Sequence, residues 1–280
     1  MESGILLLDK ERDVTSRYVD NALMKKFHTR HVGHLGTLDP FATGLLVIAI
    51  NKGTKFLPFL EDEPKTYEAT LRLGASSSTG DTEGEIKELE NVPSLSLETI
   101  QETLKSFLGK GEQLPPMTSA IKVDGVPLYK YAHKGETKER KVRPIFVYSI
   151  ETLSFENNHL SFRVSVSSGT YIRVLGEDIA KKLGTEGYLT SLRRTEIAGI
   201  SVSKAKKLEQ IEENDIQNPI LFMNHFPKVE AIDPLQVKNG VKLDLKKDYG
   251  DKVLLMEKET PLAVYEKLEG TIYRSLRGLF

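Results

Sequence analysis

The segment from Gly33 to Gly44, which reads GHLGTLDPFATG, is followed at once by the apolar run LLVIAI, and together they constrain the fold most. Its glycines allow close backbone approach or positive φ. Pro40 biases Asp39 toward extended backbone, so the Asp39 carboxylate cannot lie inside a helix. The run at 45–50 predicts a buried strand or helix that anchors the turn. A carboxylate presented on such a loop is typical of a nucleophile or general base, and a surface Asp-Pro turn is the structural alternative.

The composition is that of a folded globular chain. With 280 residues, 39% hydrophobic and 28% charged, it is long enough to bury a core in one large or two smaller domains. The absence of cysteine excludes disulfides, thiol nucleophiles and cysteine-based zinc sites, and it fits a reducing compartment. The N-terminus lacks the features of a signal peptide, and no apolar run reaches membrane-spanning length. We therefore expect a cytoplasmic protein without membrane contact.

The charges nearly cancel, with 39 Lys and Arg against 40 Asp and Glu, but the basic residues are clustered. A surface that binds polyanions everywhere is thus excluded, whereas local nucleic-acid binding is not. Each cluster is either a solvated face or part of a phosphate-binding groove. The three clusters are Lys25, Lys26, His28, Arg30 and His31; then Lys138, Arg140, Lys141 and Arg143; and finally Arg193 and Arg194.

Hydrophobic periodicity predicts alternating strands and helices. Alternation is clearest from Thr66 to Leu73, where Tyr67 lies on the apolar face. Helices are predicted from Thr15 or Ser16, over 97–108 and from 172 to a stop at Gly184, and further strands over 5–8, 145–153, 160–166, 253–256, 262–265 and 271–273. Residues 75–84 are predicted to be a polar loop, 113–116 to break the second helix, and 226–227 to be a linker before a small β-rich domain.

Several chemistries are disfavoured by their motifs. The chain has neither a phosphate-binding P-loop nor a dinucleotide-binding glycine pattern, and Ser168 lacks the flanking glycine of a nucleophile elbow. His28, His31 and His34 have a spacing that suggests a metal site, but Gly33 interrupts any helix that would align them. The remaining candidates are partners for Asp39. Tyr67 is either a core residue or a ring that stacks on a flat substrate, and Arg173 is either a surface residue or the partner of a buried carboxylate.

Five blocks in chain order resemble the TruB family of tRNA pseudouridine synthases and span roughly residues 4 to 200. The blocks are Gly4 to Lys10 with Thr15-Ser16; Gly33 to Gly44; Lys65-Thr66-Tyr67 to Gly74 with Thr79-Gly80-Asp81 and Gly84; Gln113 to Pro116 with Ser119 to Lys122, Gly125, Leu128 and Tyr129; and Ser168 to Arg173 with Leu192 to Thr195. The tail from Val229 resembles the family's small C-terminal RNA-binding domain more weakly.

The resemblance implies an α/β (α+β) pseudouridine synthase fold with a mixed, largely antiparallel sheet and a central cleft. It implies a catalytic domain at 1–226 that carries an RNA-binding arm at about 112–143, which we call the arm. A PUA-like RNA-binding domain is expected at 227–280. The implied reaction isomerises uridine 55 of the tRNA T loop to pseudouridine without metal or cofactor. The protein is expected to act as a monomer.

The resemblance also assigns roles to residues. Asp39 is implied as the catalytic aspartate, attacking either the sugar or the base, with Arg173 as its partner and Tyr67 stacked on the flipped base. The other implied site residues are His34, which would hold displaced nucleotides, Leu192, which would line the pocket, and Lys10 and Tyr171, which would support the site.

Two positions depart from the family pattern, and two other functions stay open. Glu11-Arg12 stands where a Pro-Gly pair is usual, and His133 replaces a common arginine. An RNA-binding or tRNA-folding chaperone with secondary catalysis is one alternative. An aspartate-based hydrolase of nucleosides or sugars is the other, and it would release a free base or sugar.

Overall fold

The computed structural model describes residues 3–90, 92–132 and 134–279. The strands are β1 Gly4–Lys10, β2 Val32–Leu35, β3 Thr43–Ile50, β4 Lys65–Leu73, β5 Ala75–Ser77, β6 Ile86–Glu88, β7 Gly109–Gln113, β8 Lys122–Val123, β9 Val126–Pro127, β10 Arg143–Glu156, β11 His159–Val166, β12 Gly187–Ile197, β13 Ile200–Ser201, β14 Lys228–Glu230, β15 Leu243–Asp244, β16 Lys252–Glu257, β17 Thr260–Glu269 and β18 Ile272–Gly278. The α-helices are α1 Ser16–Lys26, α2 Leu97–Lys105, α3 Leu128–Ala132, α4 Ile172–Lys182 and α5 Pro234–Lys238.

Within these described ranges the larger sheet has nine strands, along the path β1-β3-β12-β4-β11-β10-β7, with β2 paired to β3 and β13 to β12. β12 pairs with β3 in parallel, and its pairing with β4 is antiparallel, as are β1 with β3 and β4 with β11. The predicted mixed, largely antiparallel sheet is thus confirmed. The run at 45–50 is a strand, and every one of its residues is buried.

Local sequence explains most of the elements that surround the site. The predicted alternation of β4 is present, with Lys65, Tyr67, Ala69, Leu71 and Leu73 buried on one face. In α1 the Thr15 side chain accepts a hydrogen bond from the Tyr18 backbone, which caps the helix as predicted. Gly184 has φ of 79° just beyond α4, where the sequence predicted the stop.

Two local predictions are wrong, and one strand, β7, was not predicted at all. The expected polar loop at 75–84 contains β5, which pairs with β6 in a short hairpin. The second helix ends at Lys105 rather than 108, and β7 follows it. β7 reads GKGEQ and has no apolar alternation, so its strand state comes from pairing with β10 rather than from its own pattern.

The smaller, five-stranded sheet formed by β14 to β18 has both faces covered. Val253 and Leu255 face a core shared with α5, whereas Leu254 and Met256 pack with β1 and β3 of the larger sheet. Phe226, predicted to be in a linker, is buried in that second core, and its ring lies 5.9 Å from the ring of Phe59. The two sheets therefore share a hydrophobic core instead of being joined by a free linker.

Candidate active site

The loop that carries Asp39 connects β2 to β3 and is anchored on both sides of the carboxylate. The Ser16 hydroxyl accepts from the Leu38 backbone N–H at 3.0 Å and lies 3.1 Å from the Leu38 carbonyl. On the other side, the Pro40 carbonyl accepts from Lys10 Nζ at 3.1 Å and from a backbone N–H of the β1–α1 turn at 2.9 Å. Because its two neighbours are fixed, Asp39 has little freedom to shift along the loop.

Arg194 holds the backbone of the same loop from the sheet side. Its Nε donates to the Leu45 carbonyl at 2.8 Å, and its Nη2 donates to the Gly36 carbonyl at 2.8 Å. Gly44 has φ of 103°, and a Cβ there would overlap the Arg194 carbonyl oxygen. Arg194 is only 1% exposed, so the interpretation of Arg193-Arg194 as a surface basic cluster is wrong for Arg194. Arg193 pairs with Asp9 at 2.9 Å.

Arg173 reaches the Asp39 carboxylate although the two residues are 134 positions apart. Its Nε lies 2.9 Å from Asp39 Oδ2, and its Nη2 donates to Asp39 Oδ1 at 3.1 Å. This two-point geometry matches the planar guanidinium fork. Arg173 lies in the first turn of α4 and is 3% exposed, so the alternative of a surface arginine is excluded.

The other Arg173 contacts come from two segments that residue reasoning did not assign to the site. Nη1 donates to the Thr79 carbonyl at 2.8 Å and to Thr118 Oγ1 at 2.6 Å, and Nη2 donates to the Thr118 carbonyl at 2.9 Å. Asp81, 2% exposed, places Oδ2 3.4 Å from Nη1. Asp81 lies within a block that carries the family resemblance, and this membership was the sequence signal that could have assigned it to the site. Thr118 lies within the predicted arm, but it falls between the matching segments 113–116 and 119–122, and no residue pattern assigned it a role.

Opposing effects act on the Asp39 carboxyl. Burial raises its pKa above the usual 3.8 and nearby Asp81 adds to the rise, whereas Arg173 and Lys10 lower it. The side chain is still 34% exposed, so one side of the carboxylate is open. Lys10 is 1% exposed and burial lowers its pKa to about 8. An oriented carboxylate that is open on one side and flanked by cations can attack, or take a proton from, a molecule at its mouth.

Tyr67 and Leu192 belong to the hydrophobic core that also contains Leu38 and Phe41, the apolar residues on either side of Asp39. Leu192 on β12 lies opposite Ala69 on β4, two residues along the same face from Tyr67. Tyr67 is 7% exposed, as a core tyrosine would be. The two side chains thus form an apolar wall in the core next to the Asp39 loop.

Tyr171 and His34 are held by different parts of the structure. Tyr171 is the residue before α4, and burial raises the pKa of its phenol. His34, on β2, has Nδ1 2.9 Å from Asp20 Oδ2 and Nε2 3.0 Å from Thr37 Oγ1. The structure therefore joins Arg173 directly to Asp39 and Lys10 to its neighbour Pro40, while His34 is held by Asp20.

The arm leaves the sheet at β7, returns at β10 and carries β8, β9 and α3. Arg140 Nη1 donates to the Pro115 carbonyl at 2.9 Å and thereby links its two legs, and Lys138 Nζ lies 4.7 Å from the centre of the Tyr131 ring. The departure at His133 lies outside the described residues. At the other departure, Arg12 donates to Thr82 Oγ1 at 2.9 Å.

Among residues 3–90, 92–132 and 134–279, no three His, Asp or Glu side chains are grouped to hold a metal ion. None of the helices in the same residues combines the length and apolarity needed to span a membrane.

Known proteins define the class to which this site belongs. A family model described as TruB family pseudouridylate synthase (N terminal domain) matches residues 24–172. The chain is 43% identical over 233 residues to tRNA pseudouridine synthase B of Neisseria meningitidis, covering 81% of this chain and 76% of that protein. It is 41% identical over 245 residues to tRNA pseudouridine synthase B of Hydrogenovibrio crunogenus, covering 86% and 81%.

A solved structure shares the fold. A chain of the solved "Crystal Structure of a Cbf5-Nop10-Gar1 Complex" matches with a TM-score of 0.75 and 25% identity, covering 99% of this chain and 85% of that one. The class is thus an isomerase that converts uridine to pseudouridine. The chain belongs to the TruB family of pseudouridylate synthases.

Proposed function

We propose that this enzyme isomerises uridine 55 in the T loop of tRNA, with Asp39 as the nucleophile. The observation that carries the proposal is the carboxylate of Asp39, open on one side and held by the Arg173 fork at 2.9 and 3.1 Å. The named function of relatives at 41% and 43% identity supports the choice of tRNA as substrate. The enzyme is proposed to act as a monomer in the cytoplasm.

The reaction requires no net gain or loss of atoms. The bond between uracil N1 and the ribose C1′ breaks, the base rotates, and a bond forms between C5 and C1′. The proton that leaves C5 is balanced by one gained at N1. Asp39 is proposed to attack either the sugar or the base. In both cases Arg173 orients the attacking carboxylate.

The target base must leave the stack of the RNA, which costs a few kcal/mol and requires a pocket that replaces the lost stacking. We assign the stacking surface to Tyr67, with Leu192 as the neighbouring apolar wall. Tyr171 supports the entry of α4 and so the position of Arg173. Lys10 fixes the Pro40 carbonyl and adds positive charge near Asp39. His34 is proposed to hold displaced loop nucleotides.

We also propose that the arm binds the RNA backbone through Lys138, Arg140, Lys141 and Arg143. Because such contacts release counterions, affinity should fall steeply with salt. The domain at 1–226 would then carry catalysis and the arm, and residues 227–280 would form a PUA-like RNA-binding domain. The shared core of the two sheets supports the proposal that this second domain adds a surface fixed relative to the catalytic domain.

The test is Asp39→Asn, assayed on an unmodified tRNA transcript under single-turnover conditions. We expect pseudouridine formation to fall roughly a thousandfold or more while tRNA affinity stays within about threefold. A transcript with cytidine at position 55 serves as the substrate control and should yield no product. Normal turnover by Asp39→Asn would refute Asp39 as the nucleophile. Release of free uracil by the wild-type enzyme would indicate a hydrolase. Refolding of tRNA by the inactive variant would favour the chaperone.

A further inference from the structure

Arg173 depends on the arm for a large share of its hydrogen bonds. A guanidinium has five N–H donors. One of those in Arg173 donates to Asp39 Oδ1 and one to the Thr79 carbonyl, and Nε lies 2.9 Å from Asp39 Oδ2 as an ion-pair contact. The remaining two point to Thr118, one to its hydroxyl at 2.6 Å and one to its carbonyl at 2.9 Å. A single residue of the arm therefore accepts two hydrogen bonds from Arg173.

Thr118 is attached to the arm more than to the core. It lies in the irregular segment between β7 and β8. The next residue, Ser119, is 5% exposed, and its carbonyl accepts from the Tyr129 backbone N–H at 3.0 Å in α3. Leu128, fully buried, donates its N–H to the Ile121 carbonyl at 2.7 Å. Thr118 is thus tied to the hairpin and helix of the arm, and a displacement of the arm would carry it along.

A second contact joins the arm to the residue that precedes α4. The Gln113 side-chain amide donates to the Tyr171 carbonyl at 3.2 Å, and its oxygen accepts from the Tyr171 N–H at 3.0 Å. Gln113 is 3% exposed and ends β7. Gln113 fixes the start of α4, so the backbone that bears Arg173 stays in place. Thr118 contacts the guanidinium itself, and this makes Thr118 the adjustable part of the link.

We propose that Thr118 is a positioning residue that couples docking of the arm on RNA to the orientation of Arg173, and through Arg173 to Asp39. With the arm in the position seen here, Thr118 accepts from two N–H groups of Arg173 and the guanidinium faces the Asp39 carboxylate. When the arm moves away, two N–H groups lose their acceptors and the guanidinium can rotate off Asp39. Binding energy from the basic arm is then used to align the reacting carboxylate. This inference rests on the proposed role of Asp39.

Thr118→Val tests the hydroxyl contact alone. Valine keeps the branched shape and the backbone carbonyl, and it removes the acceptor of the 2.6 Å bond. We expect the single-turnover rate at saturating RNA to fall about tenfold, with RNA affinity unchanged within about twofold. In the rate–pH profile of Thr118→Val, the fall in rate at low pH should also begin at a higher pH. A less firmly held Arg173 stabilises the ionised Asp39 less, so the pKa of Asp39 rises.

Three companion variants keep this test decisive. Thr118→Ser retains the hydroxyl and should restore the rate to within about threefold. Thr54→Val is the matched control: its hydroxyl donates to the Asn51 carbonyl at 2.8 Å in a 3-10 helix, and its rate should not change. If Thr118→Val has a lowered melting temperature, Thr118→Ala, which removes the same oxygen, is assayed in its place.

The possible outcomes distinguish failure of the Thr118 coupling from failure of Asp39 as the nucleophile. A normal saturating rate for Thr118→Val, or a defect that added RNA removes, would overturn the coupling. The same holds if Thr118→Ser is as slow as Thr118→Val. If Asp39→Asn is inactive and Thr118→Val is normal, only the coupling fails. If Asp39→Asn is active, the proposed nucleophile fails first.

Discussion

Two buried arginines approach the Asp39 loop from different sides, and they have different partners. Arg194, on β12, donates to the carbonyls of Gly36 and Leu45 at 2.8 Å each and so holds the loop backbone. Arg173, at the start of α4, donates to the Asp39 carboxylate and lies 3.4 Å from that of Asp81. Arg194 holds the backbone conformation of the loop, whereas Arg173 orients the Asp39 carboxylate and compensates its negative charge. Substitutions should therefore separate stability from catalysis.

The largest effect is expected where the loop meets Arg194 most closely. In Gly44→Ala the new Cβ would overlap the Arg194 carbonyl across the β3–β12 pair, at a φ of 103°. Overpacking together with left-handed strain should lower the free energy of unfolding by about 4 kcal/mol. Urea denaturation measures this. Gly199→Ala is the control, because φ there is 76° and no heavy atom of a neighbouring described residue lies within 4 Å of the added Cβ, so a loss of only about 1 kcal/mol is expected. Equal losses would show that the close approach to Arg194 is unimportant.

The next effect is on the reaction rate. Arg173→Lys keeps the charge beside Asp39 but replaces a two-point fork by a single ammonium group. We expect the single-turnover rate to fall about a hundredfold, or about 2.7 kcal/mol, with little change in RNA affinity. Comparison of rate and dissociation constant on the same transcript measures it. A loss of affinity without a loss of rate would instead place Arg173 in a phosphate contact.

The smallest of the three effects is on folding. Arg194→Lys retains a donor but cannot reach the Leu45 and Gly36 carbonyls together, and it should lower the free energy of unfolding by about 2 kcal/mol. The rate of the folded fraction should fall less than tenfold. This variant is the matched partner of Arg173→Lys. If Arg194→Lys folds normally but is as slow as Arg173→Lys, the division of roles between the two arginines is wrong.

Sequence patterns predicted the elements whose own side chains determine their state. The alternation at Thr66 to Leu73 predicted β4 and the inward direction of Tyr67, and Thr15 predicted the start of α1. β7 could not be predicted, because its side chains show no apolar alternation and its pairing partner lies far along the chain. The burial of Phe226 also depends on a distant part of the chain, because it results from the packing of the second sheet on the first.

The site was predictable in part. Turn chemistry singled out Asp39 as a candidate, and the order of the motif blocks made the resemblance specific. An arginine pair such as Arg193-Arg194 looks basic and exposed in any charge pattern, and only the structure shows that Arg194 is enclosed. Thr118 lies 55 residues from Arg173, and no spacing rule connects an irregular segment to a distant helix start.

The most direct test of the Asp39–Arg173 pair is the rate–pH profile of pseudouridine formation, for the wild type and Arg173→Lys, under single-turnover conditions. Burial raises the pKa of Asp39 and Arg173 opposes the rise, so weakening the fork should raise that pKa further. The profiles are compared below about pH 7, where Lys10, with a pKa of about 8, is largely protonated. Because the reaction needs ionised Asp39, the rate should fall as pH drops, and the fall should begin at higher pH in Arg173→Lys. Coincident profiles with equal rates would contradict the pairing of Arg173 with a reacting Asp39.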